Sequence, residues 1–279
     1  MLVVERIADL QAFLNEKENL SIGFVATMGA LHEGHLSLID ISKKQNDITV
    51  CSIFVNPTQF NNQEDLINYP KNRALDIQLL EKSPCDVLFI PSVEEIYPQP
   101  ENIVFDFGPL SNVMEGVHRP GHFSAVAVVV KRFFEIIQPS IAYFGEKDFQ
   151  QLAVIRALVE QLKLPIKIVG CPIVREKNGL AMSSRNQRLS EEEKQKAGII
   201  FKALNDLKNN HKHDTLLRLK EKAVAAITHD ATVQLEYLEI ADGQTLQPIK
   251  DWSETNYPVA FVAVKIGPVR LIDNMTIII

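Results

Sequence analysis

The chain has 279 residues, 46% hydrophobic and 23% charged, which excludes a disordered polymer and leaves room for one large or two ordinary globular domains. Its 29 Lys and Arg against 35 Asp and Glu give a formal charge of −6, which argues against broad binding to nucleic acid or to an acidic membrane surface but allows a local basic pocket for one phosphorylated ligand. Cys51, Cys85 and Cys171 form no C-x-x-C pair and each lies in or beside an apolar run, so they read as buried free thiols suited to a reducing compartment.

The N-terminus, MLVVERIADL, is interrupted by Glu5 and Asp9 and forms no signal-peptide core. The apolar run AVAVVV, 125–130, is too short to span a bilayer, so the expectation is a cytoplasmic protein. Strands are predicted over 22–27, 48–55, 86–91, 141–145 and 166–174, with helical periodicity between them over 35–45, 71–82, 123–137 and 148–163. These strands are nearly all apolar, as when helices cover both faces of a sheet, and the alternation implies a doubly wound parallel α/β sheet. From Arg175 the texture becomes polar and turn-rich: REKNGLAMSSRNQRLSEEE. Ser190 with Glu193 is a capping-box pattern, and helices over 191–208 and 214–228 precede strands over 234–241, 259–266 and 269–273. The expected division is therefore a 1–175 α/β domain and a smaller 176–279 α+β domain, with the polar loop at the mouth between them.

The stretch TMGALHEGHL, 27–36, lies where the first long strand hands over to a helix. There the first backbone N–H groups are unpaired and the helix dipole is positive, which favours phosphate. Gly29 and Gly34 let a ligand approach the backbone, and His32 and His35 are placed to donate to phosphate oxygens and to charge that develops during displacement. Zinc fits poorly, because H-E-G-H is not H-E-x-x-H and no third ligand is evident. A helix start without chemistry is the plain alternative. H-x-G-H after a strand resembles nucleotidylyltransferases and class I aminoacyl-tRNA synthetases, and by itself identifies a mode of nucleotide binding and not a substrate.

FVNPTQF, 54–60, puts the neutral amides of Asn56 and Gln59 at a strand's carboxyl end, suited to hydroxyls and carboxylates, unless the stretch is only a turn fixed by Pro57. HRPGHF, 118–123, offers Arg119 as a carboxylate or phosphate clamp, or else a surface loop with a helix start at His122. In GEKDFQQL, 145–152, Lys147 suits a polyphosphate, Asp148 either a ribose or the cap of the next helix, and Gln151, one turn into that helix, is expected to face the same cleft. In AMSSRN, 181–186, Ser183, Ser184 and Arg185 either close over a departing pyrophosphate or form a linker. There is no G-x-S-x-G elbow and no Walker loop, which argues against a serine hydrolase and a P-loop kinase.

TMGALHEGHLSL, FVNPTQF, NYPKN, HRPGHF, FGEKDFQQL and GLAMSSRN, in this order and at these separations, resemble the pantothenate synthetase (pantoate–β-alanine ligase) family of H-x-G-H enzymes over nearly the whole chain. The resemblance implies a Rossmann-like N-terminal domain, a smaller C-terminal lid domain and a homodimer. It implies ATP and Mg²⁺ as cofactors, D-pantoate activated as an acyl-adenylate, and attack by β-alanine to give pantothenate, AMP and pyrophosphate. No nucleic acid or membrane partner is expected. By motif, it places Thr27, Met28, Gly29, Ala30, Gly34, Gly145 and Met182 in the ATP site, with the Val174 backbone at the adenine. His32 and His35 would contact phosphates, Lys147 would neutralise their charge, Asp148 would take the ribose, and Ser183, Ser184 and Arg185 would bind from the lid. His35, His32, Lys147 and Arg185 are thus the candidate catalytic groups. Gln59 and Gln151 would hold pantoate, Asn56 and Tyr69 would border its pocket, and Arg119 would lie at the margin. Where relatives carry adjacent acids after Y-P, this chain reads KNRALDIQ, leaving Asp76 as the single candidate carboxylate for Mg²⁺, an ion that prefers phosphate oxygens and water. The alternatives are another H-x-G-H nucleotidylyltransferase, which would make a stable dinucleotide, and a catalytically silent nucleotide-binding protein.

Overall fold

The computed structural model describes residues 1–99 and 103–277. The first part of the chain runs β1 (Leu2–Val4), α1 (Ile7–Asn15), β2 (Ile22–Thr27), α2 (Glu33–Lys43), β3 (Ile48–Ile53), α3 (Gln63–Ile67), α4 (Arg73–Glu81), β4 (Val87–Phe89), α5 (Val93–Ile96), α6 (Glu115–His118), α7 (His122–Ile137), β5 (Ile141–Gly145), α8 (Phe149–Gln161) and β6 (Lys167–Cys171). The second runs α9 (Glu191–Asn210), α10 (Leu216–Ile227), β7 (Val233–Asp242), β8 (Pro258–Ile266) and β9 (Val269–Thr276). β1, α1 and the short helices α3, α5 and α6 were not expected from sequence. A three-residue strand at the sheet edge gives no alternation to read, because only Val4 of β1 is buried.

The six strands β1–β6 form one parallel sheet in the order β1-β4-β3-β2-β5-β6. This is the doubly wound α/β arrangement that the apolar strands imply. Both faces of β2 are buried, because successive side chains point to opposite sides of a strand and Phe24 and Val25 are both fully covered. On one face, Phe133 of α7 meets Phe24, Phe54 and Phe89 with ring centroids 5.5, 6.0 and 6.3 Å away. On the other, Val25, Cys51, Leu88 and Tyr143 pack with Leu38 and Ile39 of α2. Gly23 permits that approach: a Cβ there would lie 2.2 Å from Ser42 Oγ and 2.6 Å from Asn46 Nδ2.

The strand order reverses between β2 and β5. Loops leaving the carboxyl ends of these neighbours diverge, and open α/β sheets bind ligands in the resulting crevice. In chain order, those ends lead into 28–35 after β2 and into Gly145 after β5.

Contacts divide the chain into two compact units. The first comprises Met1–Phe107, Arg119–Glu146 and Gln151–Pro172, and the second Gly108–His118, Lys147–Gln150 and Ile173–Ile279. In the second unit, β7, β8 and β9 form an antiparallel sheet in that order, the small α+β fold expected after residue 175. Leu204 and Leu207 of α9, Leu219 and Ile227 of α10, and Ile240, Val262 and Leu271 of the sheet share its core. The Ser190–Glu193 capping box starts α9 as its sequence pattern implies.

Candidate active site

His32 is the N-cap of α2 and extends toward the first turn of its own helix. Its Nδ1 accepts from Gly34 N–H at 3.2 Å, and His35 Nδ1 accepts from His32 N–H at 3.3 Å. The N–H groups of His35 and Leu36 return to the His32 carbonyl at 2.8 and 3.1 Å. The box S/T-x-x-E/Q is here built from two histidines. The expectation of open helix amides is corrected by this geometry, since Gly34 and His35 N–H are spent inside the cap. What the element presents is imidazole. An Nδ1 that accepts a hydrogen bond carries no proton, so each neutral ring holds its proton on Nε2. Two Nε2–H tautomers, with ring centroids 4.0 Å apart and planes at 37°, thus share the start of α2.

The loop that delivers them is tightly fixed. Thr27 Oγ1 donates to the Ser52 carbonyl at 2.7 Å and accepts from Gly29 N–H at 3.2 Å. Gly29 and Ala30 have φ of 79° and 49°, in the left-handed region. Asp76 of α4, only 2% exposed, accepts from Ala30 N–H at 2.9 Å and from Leu31 N–H at 2.7 Å. The carboxylate read from sequence as a metal candidate therefore faces loop amides with both oxygens. Among the described residues no cluster of three or more His, Cys, Asp or Glu could hold a metal ion.

After β3, Asn56 caps a short 3₁₀ turn, Pro57–Gln59. Asn56 Oδ1 accepts from Thr58 N–H at 3.3 Å, Thr58 Oγ1 at 3.0 Å and Tyr97 OH at 3.1 Å. Its Nδ2 therefore points the other way and donates to Gln59 Oε1 at 3.2 Å. Gln59 Nε2 lies 3.0 Å from Met28 Sδ, and the Gln59 carbonyl accepts from His122 Nδ1 at 2.9 Å. Met28, Asn56 and Gln59, assigned from separate motifs, are thus brought into one hydrogen-bonded cluster. Tyr97 and His122 orient it, and sequence reasoning missed both in that role. HRPGHF drew attention to His122 only as a helix start, and nothing local marks Tyr97. Tyr69 is buried with its ring edge-on to Phe60 at 5.8 Å. Arg119, half-buried, accepts His122 N–H on its carbonyl at 3.1 Å, and Gln151 is half-buried in α8.

In the second unit, Lys147 is half-buried, with Nζ 3.4 Å from the half-exposed Asp148 carboxylate, and the Lys147 carbonyl accepts from Asn274 Nδ2 at 2.9 Å. Val174 and Met182 are joined by a Met182 N–H to Val174 carbonyl bond of 3.0 Å. Next to them Arg175 makes a two-pronged pair with buried Asp273, at 2.6 and 3.0 Å, and lies 4.7 Å from the Phe201 ring. Burial raises the Asp273 carboxyl above its usual range, and Arg175 opposes that rise. Ser183 caps the turn Ser184–Arg188 by accepting Arg185 N–H at 3.3 Å, and Ser184 is buried.

Residues 2–276 match the family model described as pantoate-beta-alanine ligase. A pantothenate synthetase of Bacteroides fragilis is 48% identical over 280 residues, spanning 99% of this chain and 98% of that protein. One from Porphyromonas gingivalis is 47% identical over 280 residues and spans 99% of both. Among solved structures, pantothenate synthetase from Thermus thermophilus superposes with a TM-score of 0.94 at 40% identity, covering 100% of both chains. Pantoate-beta-alanine ligase from Francisella tularensis, solved in complex with beta-gamma ATP and β-alanine, gives 0.83 at 37% identity and covers 99% of this chain and 97% of that one.

Proposed function

The chain belongs to the pantoate-beta-alanine ligase family and is a ligase of pantothenate biosynthesis, and from that premise we propose that it joins D-pantoate to β-alanine through a pantoyl-adenylate formed from ATP. A carboxylate is a poor electrophile. In the proposed first step a pantoate carboxylate oxygen attacks the α-phosphorus of ATP, an O–P bond forms, and the bond to pyrophosphate breaks. In the second the β-alanine nitrogen attacks the activated carbonyl, the C–O bond to AMP breaks, and the nitrogen loses its proton. The products are pantothenate, AMP and pyrophosphate.

Carrying this reading is the histidine capping box at the carboxyl end of β2, which offers two Nε2–H donors at the point where the sheet's strand order reverses. Donors fixed before reaction stabilise charge as it develops on the triphosphate without reorganising. His35 acts in this scheme as a hydrogen-bond donor. Lys147, Ser183, Ser184 and Arg185 are assigned to the phosphates, and Gly145, Asp148, Val174 and Met182 to the nucleoside. Gln59, turned by Asn56, and Gln151 receive pantoate, with Tyr69 and Arg119 at its border. Asp76 is assigned to the loop that carries the histidines, since each of its oxygens accepts an amide hydrogen from that loop. Magnesium enters as the counterion of ATP, on phosphate oxygens and water. A cytoplasmic homodimer completes the reading, supported for compartment by three buried free thiols. No described helix is long and apolar enough to cross a membrane. Light scattering tests the dimer.

The test of the chemistry is isotope exchange between pyrophosphate and ATP. Exchange should require D-pantoate and proceed without β-alanine. Exchange in the absence of pantoate, or supported by pantetheine phosphate instead, would replace this reading with that of another H-x-G-H nucleotidylyltransferase.

A further inference from the structure

Asp76 lies in the first turn of α4, where the helix dipole favours a negative charge, yet it is too deeply covered for water to solvate it. A buried carboxylate needs donors. Those it has come from the H-x-G-H loop, 45 and 46 residues away in sequence: Leu31 N–H to Oδ1 and Ala30 N–H to Oδ2. The left-handed pair Gly29 and Ala30 turns neighbouring amides into a concavity of the kind that attracts anions. At Ala30 the conformation is disfavoured for a residue with a Cβ, so something must hold it. Contact is close on the other side too, since a Cβ on Gly29 would lie 3.0 Å from Asp76 Oδ2.

We propose that Asp76 is a positioning residue for the imidazole pair. Its carboxylate fills the anion concavity from within and grips the strained turn directly before His32. The capping box of α2 therefore begins at a fixed place, and its two Nε2–H donors are aimed before substrate arrives. Ala30 and Leu31 N–H face this internal anion rather than a phosphate. The proposal rests on the reading that His32 and His35 act on the triphosphate.

Asp76→Asn keeps the shape but leaves one oxygen, so an NH₂ group faces a backbone N–H. The expected result is a fall in kcat of about 10²-fold, the scale of loss when catalytic groups are misplaced by about 1 Å, with KM for β-alanine unchanged. On a background lacking both imidazoles (His32→Ala, His35→Ala) the same substitution should add less than about threefold, because it acts through groups no longer present. Native turnover in Asp76→Asn, or a fully multiplicative loss on the histidine-free background, overturns the proposal. Full activity of the histidine-free variant would instead remove the functional reading, and the grip would still be testable by itself. In the unmodified chain, the Ala30 and Leu31 amide protons should exchange with solvent at least about 10²-fold slower than open loop amides. Unprotected exchange there overturns the grip, whether or not Asp76→Asn folds.

Discussion

A histidine that accepts through Nδ1 differs chemically from one that donates through it, and this molecule contains both kinds. His32 and His35 accept backbone N–H and keep a proton on Nε2, whereas His122 faces a carbonyl and must donate through Nδ1. On the proposed chemistry, His35→Ala and Lys147→Ala each remove a donor or charge aimed at the transition state, and each should lower turnover about 10²–10³-fold in a steady-state assay. Full activity in both would place the phosphate pocket elsewhere. The thiols make a separate residue-scale prediction. Burial holds Cys85 up at about 12, Cys171 at about 11 and Cys51 well above the ordinary 9.0. In the alkaline range above the ordinary thiol value, the folded chain keeps protons that the unfolded chain has released. Stability must therefore fall as pH rises, by up to about 1.4 kcal/mol per thiol per pH unit until each folded value is reached. Urea unfolding at about pH 8 and about pH 10 should show this loss, and Cys85→Ala with Cys171→Ala should flatten the slope.

At the scale of elements, the decisive contact is α2 lying close on β2. Ser42 and Asn46 approach Gly23 so nearly that Gly23→Ala must push the helix or bend those side chains. Overpacking of this kind costs about 1–3 kcal/mol. Calorimetry should show the lower melting temperature, and because α2 carries both imidazoles, kcat should fall with it. Helices and strands were mostly legible from sequence for a plain reason: each long element has its own period. β2 occupies the residues its apolar run marks, as does β5. By contrast β3, β4 and β6 prove shorter than their runs, because pairing between neighbouring strands ends where the chains diverge toward loops. β1 escaped because three mostly exposed residues have no period, and their strand character comes from pairing with β4.

At the scale of the molecule, the second unit is tied together by a polar network that joins the segment Gly108–His118 to the three-stranded sheet. Glu115 accepts from Tyr237 OH at 2.8 Å and from both Arg270 terminal nitrogens at 2.8 and 2.6 Å, and Arg270 also meets Glu236. Burial and the neighbouring Glu115 raise the Tyr237 phenol far above its usual value. Glu115→Ala leaves the guanidinium with Glu236 alone and should cost about 3 kcal/mol. The single tryptophan, Trp252, lies in this unit, so its fluorescence in a denaturant titration reads the loss directly. A loss below about 1 kcal/mol would show that the network is not what holds the segment. The sequence by itself determined the element types, the parallel α/β sheet followed by a small antiparallel one, the histidine motif at a strand's end, and the family. All of these are local periods or ordered short motifs that survive without knowledge of distant neighbours. Only the tertiary structure decided which groups serve those motifs. Asp76 reaches back 46 residues to the histidine loop, Tyr97 reaches 41 to Asn56, and His122 reaches 63 to Gln59. The His122 tautomer was settled in the same way, because a proton's place on a ring depends on what each nitrogen touches, whereas those of His32 and His35 follow from bonds inside their own helix cap. Hydrogen bonds between distant segments exist only once the sheet has brought its loops to one edge.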